Sequence, residues 1–145
     1  MSNANVEIVM GLSPGPDVDI APLFRDDETW AALVEFWAPI LHPDFRCTAT
    51  LLGSETSYGT GADAVRAFYL DWMAPWVTYR VVIDEARDLG DRIVLLVTDY
   101  GRRKGTAEEI KGRNASVWSF SDRKIIRFDA YSDQDEALKA VGLEE

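Results

Sequence analysis

Cysteine and histidine are almost missing from this sequence. Its 145 residues include one cysteine, Cys47, and one histidine, His42. A single cysteine rules out a disulfide scaffold within the chain, and these two residues cannot build a zinc centre from Cys and His ligands. The sequence also has no phosphate-binding loop of the GxxxxGK[ST] type. We therefore expect no metal and no other cofactor, and we interpret Cys47 as a buried structural thiol.

Long apolar runs are missing as well. No run reaches the ~18 residues that a membrane helix needs. The N-terminal stretch MSNANVEIVM has neither the basic start nor the long apolar segment of a signal peptide. These absences predict a cytoplasmic protein with no membrane partner.

Basic residues are too few to balance the acidic ones. The chain has 15 Lys and Arg against 25 Asp and Glu, which gives a formal net charge of −10. Because nucleic-acid binding depends on Lys and Arg that neutralise phosphates, this balance opposes a nucleic-acid partner.

The composition that remains is typical of one globular domain. Apolar residues make up 47% of the chain, and a chain of this length can bury a core without disulfides. We expect a single domain over residues 1–145. Within it, residues 1–26 hold a loose first helix at about 6–12 and a linker rich in glycine and proline.

Helical patterns occupy the first half of the chain. Apolar residues from Trp30 to Trp37 recur at helical spacing behind an acidic N-cap at 26–27. A second apolar stripe predicts a helix that begins at Thr60 with a capping box and ends before Pro75.

Strand patterns dominate the second half. Runs of β-branched and aromatic residues predict strands at 77–83, 93–102, 110–120 and 125–131, after an early short strand at 45–52. A short helix at 136–141 ends the chain. Helices followed by an antiparallel meander indicate an α+β fold, with the helices packed on one face of a curved sheet.

Both faces of the predicted sheet carry apolar side chains. Alternation puts Val94, Leu96 and Trp118 on one face, and Ile93, Leu95, Val97 and Val117 on the other. Helices can cover only one of these faces, so a second subunit is the economical cover for the other. The sequence therefore predicts a homodimer through the convex face.

Seven segments form a recognisable series. They are NVE at 5–7, YGTGADAV at 58–65, GDRIV at 90–94, VWSF at 117–120, KIIRF at 124–128, AYSD at 130–133 and EAL at 136–138. In this order they resemble the nuclear-transport-factor-2-like superfamily, and more narrowly its SnoaL-like branch. The resemblance implies a cone-shaped roll, with a deep pocket between the helices and the concave face of a curved antiparallel sheet. It also implies a dimer through the outer face, as often found in this superfamily.

The resemblance also indicates where a catalytic acid would lie. Epoxide hydrolases and SnoaL cyclases of this superfamily place an acid at the position matched here by Ala130, which cannot act as a base. The remaining candidates for a catalytic base are Asp99 and Asp129. If the hairpin tip is centred near 105–106, Asp99 lies about opposite Arg113 and Asp129 comes alongside. That row resembles the limonene-epoxide hydrolases in composition, and a structural charge ladder is the alternative.

The opposite face of these strands has the mixture of aromatic and short polar groups that small-molecule pockets favour. The resemblance turns this face inward. The candidate ligand-binding residues are Thr98, Tyr100, Asn114, Ser116, Trp118 and Phe128 on the strands, with Trp37, Tyr58 and Trp72 closing the pocket. Core packing is the alternative role for each tryptophan.

Two functions stay open. The leading hypothesis is a pocket protein that binds an apolar small molecule, cyclic molecules included, and uses no cofactor. The rival is a cofactor-independent isomerase, cyclase or epoxide-hydrolase-type enzyme with Asp99 or Asp129 as general base. A carboxylate that points into the pocket would favour the enzyme, and two outward carboxylates would favour the binder.

Overall fold

The computed structural model of the protein describes residues 3–13 and 15–143. Five helices and six strands follow one another along the chain. They are α1 (Asn3–Leu12), α2 (Ala21–Arg25), α3 (Asp27–Trp37), β1 (Leu41–Leu51), β2 (Ser54–Thr60), α4 (Ala62–Trp72), β3 (Thr78–Asp88), β4 (Arg92–Arg102), β5 (Glu109–Ser121), β6 (Lys124–Tyr131) and α5 (Gln134–Ala140). No helix in the described ranges is long and apolar enough to cross a membrane.

The strands form one curved sheet in the order β2-β1-β6-β5-β4-β3. The four strands β3 to β6 make the predicted antiparallel meander, and the α+β cone fold is confirmed. The sheet is mixed, because β1 runs parallel to β6. Helix α4 and four strands lie between β1 and β6 in the chain, and such a long connection is what a parallel pair requires.

The helix predictions hold at α3 and need correction elsewhere. The Asp26 carboxylate accepts a 2.8 Å hydrogen bond from the Thr29 amide, which caps α3 as expected. Helix α4 begins after Gly61, which is its N-cap in place of Thr60 and has a φ of 76° that glycine adopts readily. No side chain of the described residues caps this helix, so the expected capping box does not form. Two elements were not predicted: β2, which pairs with β1, and α2, which lies in the expected linker.

The helices divide between the two faces of the sheet. Helices α2, α3 and α4 bury Phe24, Trp30, Trp37 and Phe68 against the concave face. The short helix α5 packs on the opposite face, where its Ala137 is fully buried.

Helix α5 changes the reasoning behind the predicted dimer. It lies over a second apolar cluster that contains Val94, Leu96 and Val117, each at most 8% exposed in the single chain. The chain therefore covers these side chains by itself, and they no longer require a second subunit. Trp118 belongs to the concave face instead, so the expected grouping of Trp118 with Val94 and Leu96 is wrong.

Candidate functional site

A cavity of about 110 Å³ lies between the concave face of the sheet and the helices. The described residues that line it are Leu12, Ser13, Ile20, Leu23, Phe24, Leu33, Trp37, Phe68, Tyr69, Trp72, Tyr79, Val81, Ile83, Leu95, Val97, Asn114, Ala115, Ser116, Trp118, Phe128 and Ala130. None of them carries a formal charge. Small-molecule sites typically have such an apolar lining with a few polar groups.

Eight of the lining side chains are aromatic, and we call them the aromatic wall: Phe24, Trp37, Phe68, Tyr69, Trp72, Tyr79, Trp118 and Phe128. Many of their rings touch. The ring centroids of Trp118 and Phe128 are 4.6 Å apart, and those of Phe68 and Trp72 are 5.2 Å apart. Trp37 reaches the wall from α3, with its ring 6.2 Å from that of Trp118. Such contacts add stability beyond the buried area and hold the rings in place.

Three side chains form a hydrogen-bonded chain that starts in the cavity wall, and we call them the polar triad: Trp72, Tyr79 and Asp99. The Trp72 indole Nε1 donates to the Tyr79 hydroxyl oxygen at 2.8 Å. The Tyr79 hydroxyl in turn donates to Asp99 Oδ2 at 2.5 Å. Trp72 and Tyr79 line the cavity, and the Asp99 carboxylate lies behind Tyr79.

The strand register positions the triad. Tyr79, Val81 and Ile83 point inward from β3, and the Cα atom of Val81 is paired with that of Asp99 on β4. The backbone amide of Tyr79 also donates to Asp19 Oδ1 at 3.0 Å, which ties β3 to the segment before α2. The position of Tyr79 is thus fixed from both sides.

The Asp99 carboxylate is buried, with 9% exposure, and has one hydrogen-bond donor among the described residues, the Tyr79 hydroxyl. Its Oδ1 lies over Gly112, where an added Cβ would come within 2.6 Å of that oxygen. Within residues 3–13 and 15–143, no Lys, Arg or His side chain forms an ion pair with Asp99.

The negative charge of Asp99 affects the two tyrosines beside it. Burial, together with the Asp99 charge and hydrogen bond, raises the pKa of the Tyr79 hydroxyl well above its usual range. Burial is also the main cause that raises the pKa of Tyr69. Both hydroxyls therefore stay protonated near neutral pH.

The predicted row of Asp99, Arg113 and Asp129 is wrong. Asp99 is paired with Gly112, and Arg113 is paired with Thr98, one residue away from the expected register. Asp129 is paired with Val117 on β5. Since alternate residues of a strand point to opposite faces, a shift of one residue exchanges the two faces.

Because of the same shift, two candidate ligand-binding residues lie on the opposite face of the sheet from the one predicted. Thr98 and Tyr100 lie on the face away from the cavity, not on the face with Asn114 and Ser116 as expected. The Thr98 hydroxyl donates to Asp84 at 2.6 Å. The guanidinium of Arg80 lies 4.0 Å from the ring centroid of Tyr100.

Asp129 also lies outside the cavity, because its neighbours Phe128 and Ala130 point inward. Its carboxylate accepts hydrogen bonds from the Thr48 hydroxyl and, at 2.9 Å to each oxygen, from Arg127 Nε. The Asp129 carboxylate raises the pKa of the Arg127 guanidinium. This arrangement is a satisfied ion pair on the outer face of the sheet.

The other candidates divide between the cavity and the surface. Six of the nine ligand-binding candidates line the cavity: Trp37, Trp72, Asn114, Ser116, Trp118 and Phe128. Tyr58 does not. It lies beside the ring of Phe68, and its hydroxyl donates to the exposed carboxylate of Asp71 at 2.5 Å.

Sequence reasoning missed the residue that joins Asp99 to the cavity. Tyr79 lies in the strand predicted at 77–83, but nothing in the sequence indicates that it contacts Asp99. It also missed the contribution of α2, since Leu23 and Phe24 line the cavity from a segment interpreted as a linker.

Neither the Cys47 thiol nor a cluster of metal-binding side chains provides a second reactive centre in the described part of the chain. Cys47 is fully buried, and burial raises the pKa of its thiol to about 12, so it is protonated and unreactive at neutral pH. Among residues 3–13 and 15–143, no three His, Cys, Asp or Glu side chains come together to hold a metal ion.

Comparison with known proteins agrees with this architecture. Residues 24–128, more than half of the chain, match the model of the SnoaL-like domain family. The chain therefore belongs to the SnoaL-like domain family. Among curated proteins, none matches the sequence.

Solved structures share the fold at low sequence identity. A protein from Jannaschia sp. CCS1 named as a SnoaL-like polyketide cyclase is 18% identical, with a TM-score of 0.61 over 99% of this chain and 95% of its own. An NTF2-like protein of unknown function from Burkholderia pseudomallei is 20% identical, with a TM-score of 0.59 over 96% and 98%. An LEH-like epoxide hydrolase from M. tuberculosis is 14% identical, with a TM-score of 0.52 over 90% and 83%. At such identities the likeness shows the fold alone.

Proposed function

We propose that this protein binds a small, largely apolar molecule, cyclic molecules included, in the cavity between sheet and helices. The observation that carries the proposal is the lining itself, which is aromatic and aliphatic on all sides and has its polar groups at a few points. Asn114 and Ser116 offer hydrogen bonds along β5, and Tyr79 offers one at the polar triad. Such a lining orients a ligand by a few polar contacts and holds it by apolar contact.

The size of the cavity limits the ligand. An engineered cavity of about 150 Å³ with a similar apolar lining holds benzene, and the cavity here has about 110 Å³. We therefore expect a compact ligand of roughly benzene size or smaller to enter without rearrangement of the side chains.

Calorimetric titration with a panel of compact probes tests this proposal. The panel contains benzene, cyclohexanol, tert-butanol and tetramethylammonium, and at least one member should bind the native protein. Ala130 lines the cavity with 4% exposure, so Ala130→Leu fills space there and should abolish that binding. If no probe binds, or if the filled variant binds equally well, the proposal is wrong.

The second candidate function is a cofactor-independent enzyme, and one observation favours it. The Asp99 carboxylate lies on the inward face, and its Oδ1 accepts no hydrogen bond from the described residues, while Tyr79 holds Oδ2. A general base needs a free oxygen of this kind, and in this structure the Tyr79 hydroxyl lies between the Asp99 carboxylate and the cavity.

An activity assay tests this second function: the protein is incubated with compact epoxides and cyclic ketones, and chromatography measures their conversion. Asp99→Asn should abolish any turnover, whereas Asp129→Asn should retain it because Asp129 lies on the outer face. Equal turnover in both variants would exclude Asp99 as the base. No turnover in the native protein would favour the binding function alone.

A further inference from the structure

We propose that the cavity selects a compact alkylated ammonium cation over a neutral molecule of the same shape. This inference rests on the proposed binding function and names the chemical class of the ligand. It draws on three observations: an unpaired buried carboxylate, the aromatic wall and the direction of the hydrogen bonds in the polar triad.

The first observation is a contrast between two buried acids of the same chain. Asp99 and Asp129 are each 9% exposed. Asp129 accepts a bifurcated hydrogen bond from Arg127 Nε, at 2.9 Å to each oxygen. Asp99 has no cationic partner in the part of the chain that the structure describes. Buried charges in proteins are normally paired, so the Asp99 carboxylate behind Tyr79 leaves a negative charge next to the cavity that a ligand cation would balance.

The second observation is the chemistry of the wall. The face of an aromatic ring attracts a cation, and tryptophan does so most strongly. Three tryptophans, Trp37, Trp72 and Trp118, line this cavity together with five other aromatic side chains. The described lining contains no Lys or Arg that would repel a cation or hold an anion.

The third observation is the direction of the hydrogen bonds. Trp72 donates to Tyr79, and Tyr79 donates to Asp99, so both polar hydrogens point toward the carboxylate. The oxygens of the triad are thus left as acceptors, which favours a positive ligand and disfavours an anion. A methylated ammonium ion needs no hydrogen bond of its own and presents an apolar shell to the apolar lining.

The shape of the ligand follows from the volume of the cavity. Tetramethylammonium and tert-butanol both have a central atom with four substituents and five non-hydrogen atoms. They differ in charge and in the hydroxyl group, which only tert-butanol has. The pair therefore separates selection for charge from selection for size.

The experiment is calorimetric titration of the native protein with tetramethylammonium chloride and with tert-butanol, in buffers of matched ionic strength. We expect tetramethylammonium to bind at least about tenfold more tightly, which corresponds to ~1.4 kcal/mol. Asp99→Asn should reduce the affinity for tetramethylammonium at least about tenfold and leave that for tert-butanol unchanged. The control Asp129→Asn removes an equally buried acid from the outer face and should change neither affinity.

A second variant keeps the test decisive if the Asp99 variant does not fold. Trp118→Leu removes an aromatic face and retains an apolar side chain, so it should weaken tetramethylammonium binding more than tert-butanol binding. If tert-butanol binds the native protein as tightly as tetramethylammonium, or more tightly, the inference is wrong while the proposed function stands. If neither binds and the neutral ring compounds do, the inference is again wrong. If no probe of any kind binds, the proposed function fails as well.

Discussion

Removal of one hydroxyl group should reveal the energetic role of the polar triad. In Tyr79→Phe the ring keeps its packing, but Asp99 Oδ2 loses its donor and the Trp72 indole loses its acceptor. Tyr79 is 3% exposed and Asp99 is 9% exposed, so water does not readily replace the lost partner. Buried polar groups left without partners destabilise a fold.

The magnitude follows from the two lost bonds. A hydrogen bond to a charged acceptor contributes about 1.5–3 kcal/mol and a neutral one about 0.5–1.5 kcal/mol. We expect Tyr79→Phe to lower the free energy of unfolding by about 2–4 kcal/mol. In urea this corresponds to a fall of roughly 1–2 M in the denaturation midpoint for a domain of this size.

Tyr58 provides a matched control. Its hydroxyl also donates to an aspartate at 2.5 Å, but Asp71 is exposed and Tyr58 lies outside the cavity. Tyr58→Phe should therefore cost less than about 1 kcal/mol. Urea denaturation followed by circular dichroism measures both variants. Equal losses, or a loss below about 0.5 kcal/mol for Tyr79→Phe, would refute the role given to the triad.

Three further predictions use the same denaturation assay. Ala130→Asp should cost about 1–3 kcal/mol, and the loss should grow between pH 4 and pH 8, because burial raises the pKa of the new acid and the folded state prefers its protonated form. A loss independent of pH would contradict a dry cavity at residue 130. Gly112→Ala should cost about 1–3 kcal/mol, since its Cβ would lie 2.6 Å from Asp99 Oδ1, whereas Gly11→Ala, with open space around it, should not destabilise the protein. A harmless Gly112→Ala would show that the Asp99 carboxylate is not held in place over Gly112. The Cys47 thiol has a usual pKa of 9.0 that burial raises to about 12. The free energy of unfolding of the native protein should therefore fall as pH rises above 9. In Cys47→Ala it should fall less steeply, and the two slopes should differ by up to about 1.4 kcal/mol per pH unit. Identical slopes would refute the buried thiol.

Local patterns were sufficient for most of the elements. The alternation of β-branched and aromatic residues located β3 to β6 within a few residues, except that β3 continues to Asp88. The Asp26 cap and the apolar spacing from Trp30 located α3. These signals are short-range, since a cap or an alternating run acts within its own segment. The sequence also shows directly that position 130 has no acid, because the residue there is Ala130.

The sequence could not determine which side chains meet in the cavity. Six residues separate β4 from β5, and a loop of this length permits more than one register. The register that forms pairs Asp99 with Gly112, which places Asp99 on the inward face and turns Thr98 and Tyr100 away. Nothing within β4 itself distinguishes these two outcomes.

Contacts between distant segments decided the rest of the site. Leu23 and Phe24 of α2 line the cavity although their segment has the composition of a linker. Helix α5 covers the cluster of Val94, Leu96 and Val117 on the convex face, for which the apolar pattern required a second subunit. The triad joins α4, β3 and β4, and it exists only because the curved sheet brings Tyr79 and Asp99 under Trp72. Local sequence thus determined the elements, whereas the register and curvature of the sheet determined the site, because both depend on packing between residues far apart in the chain.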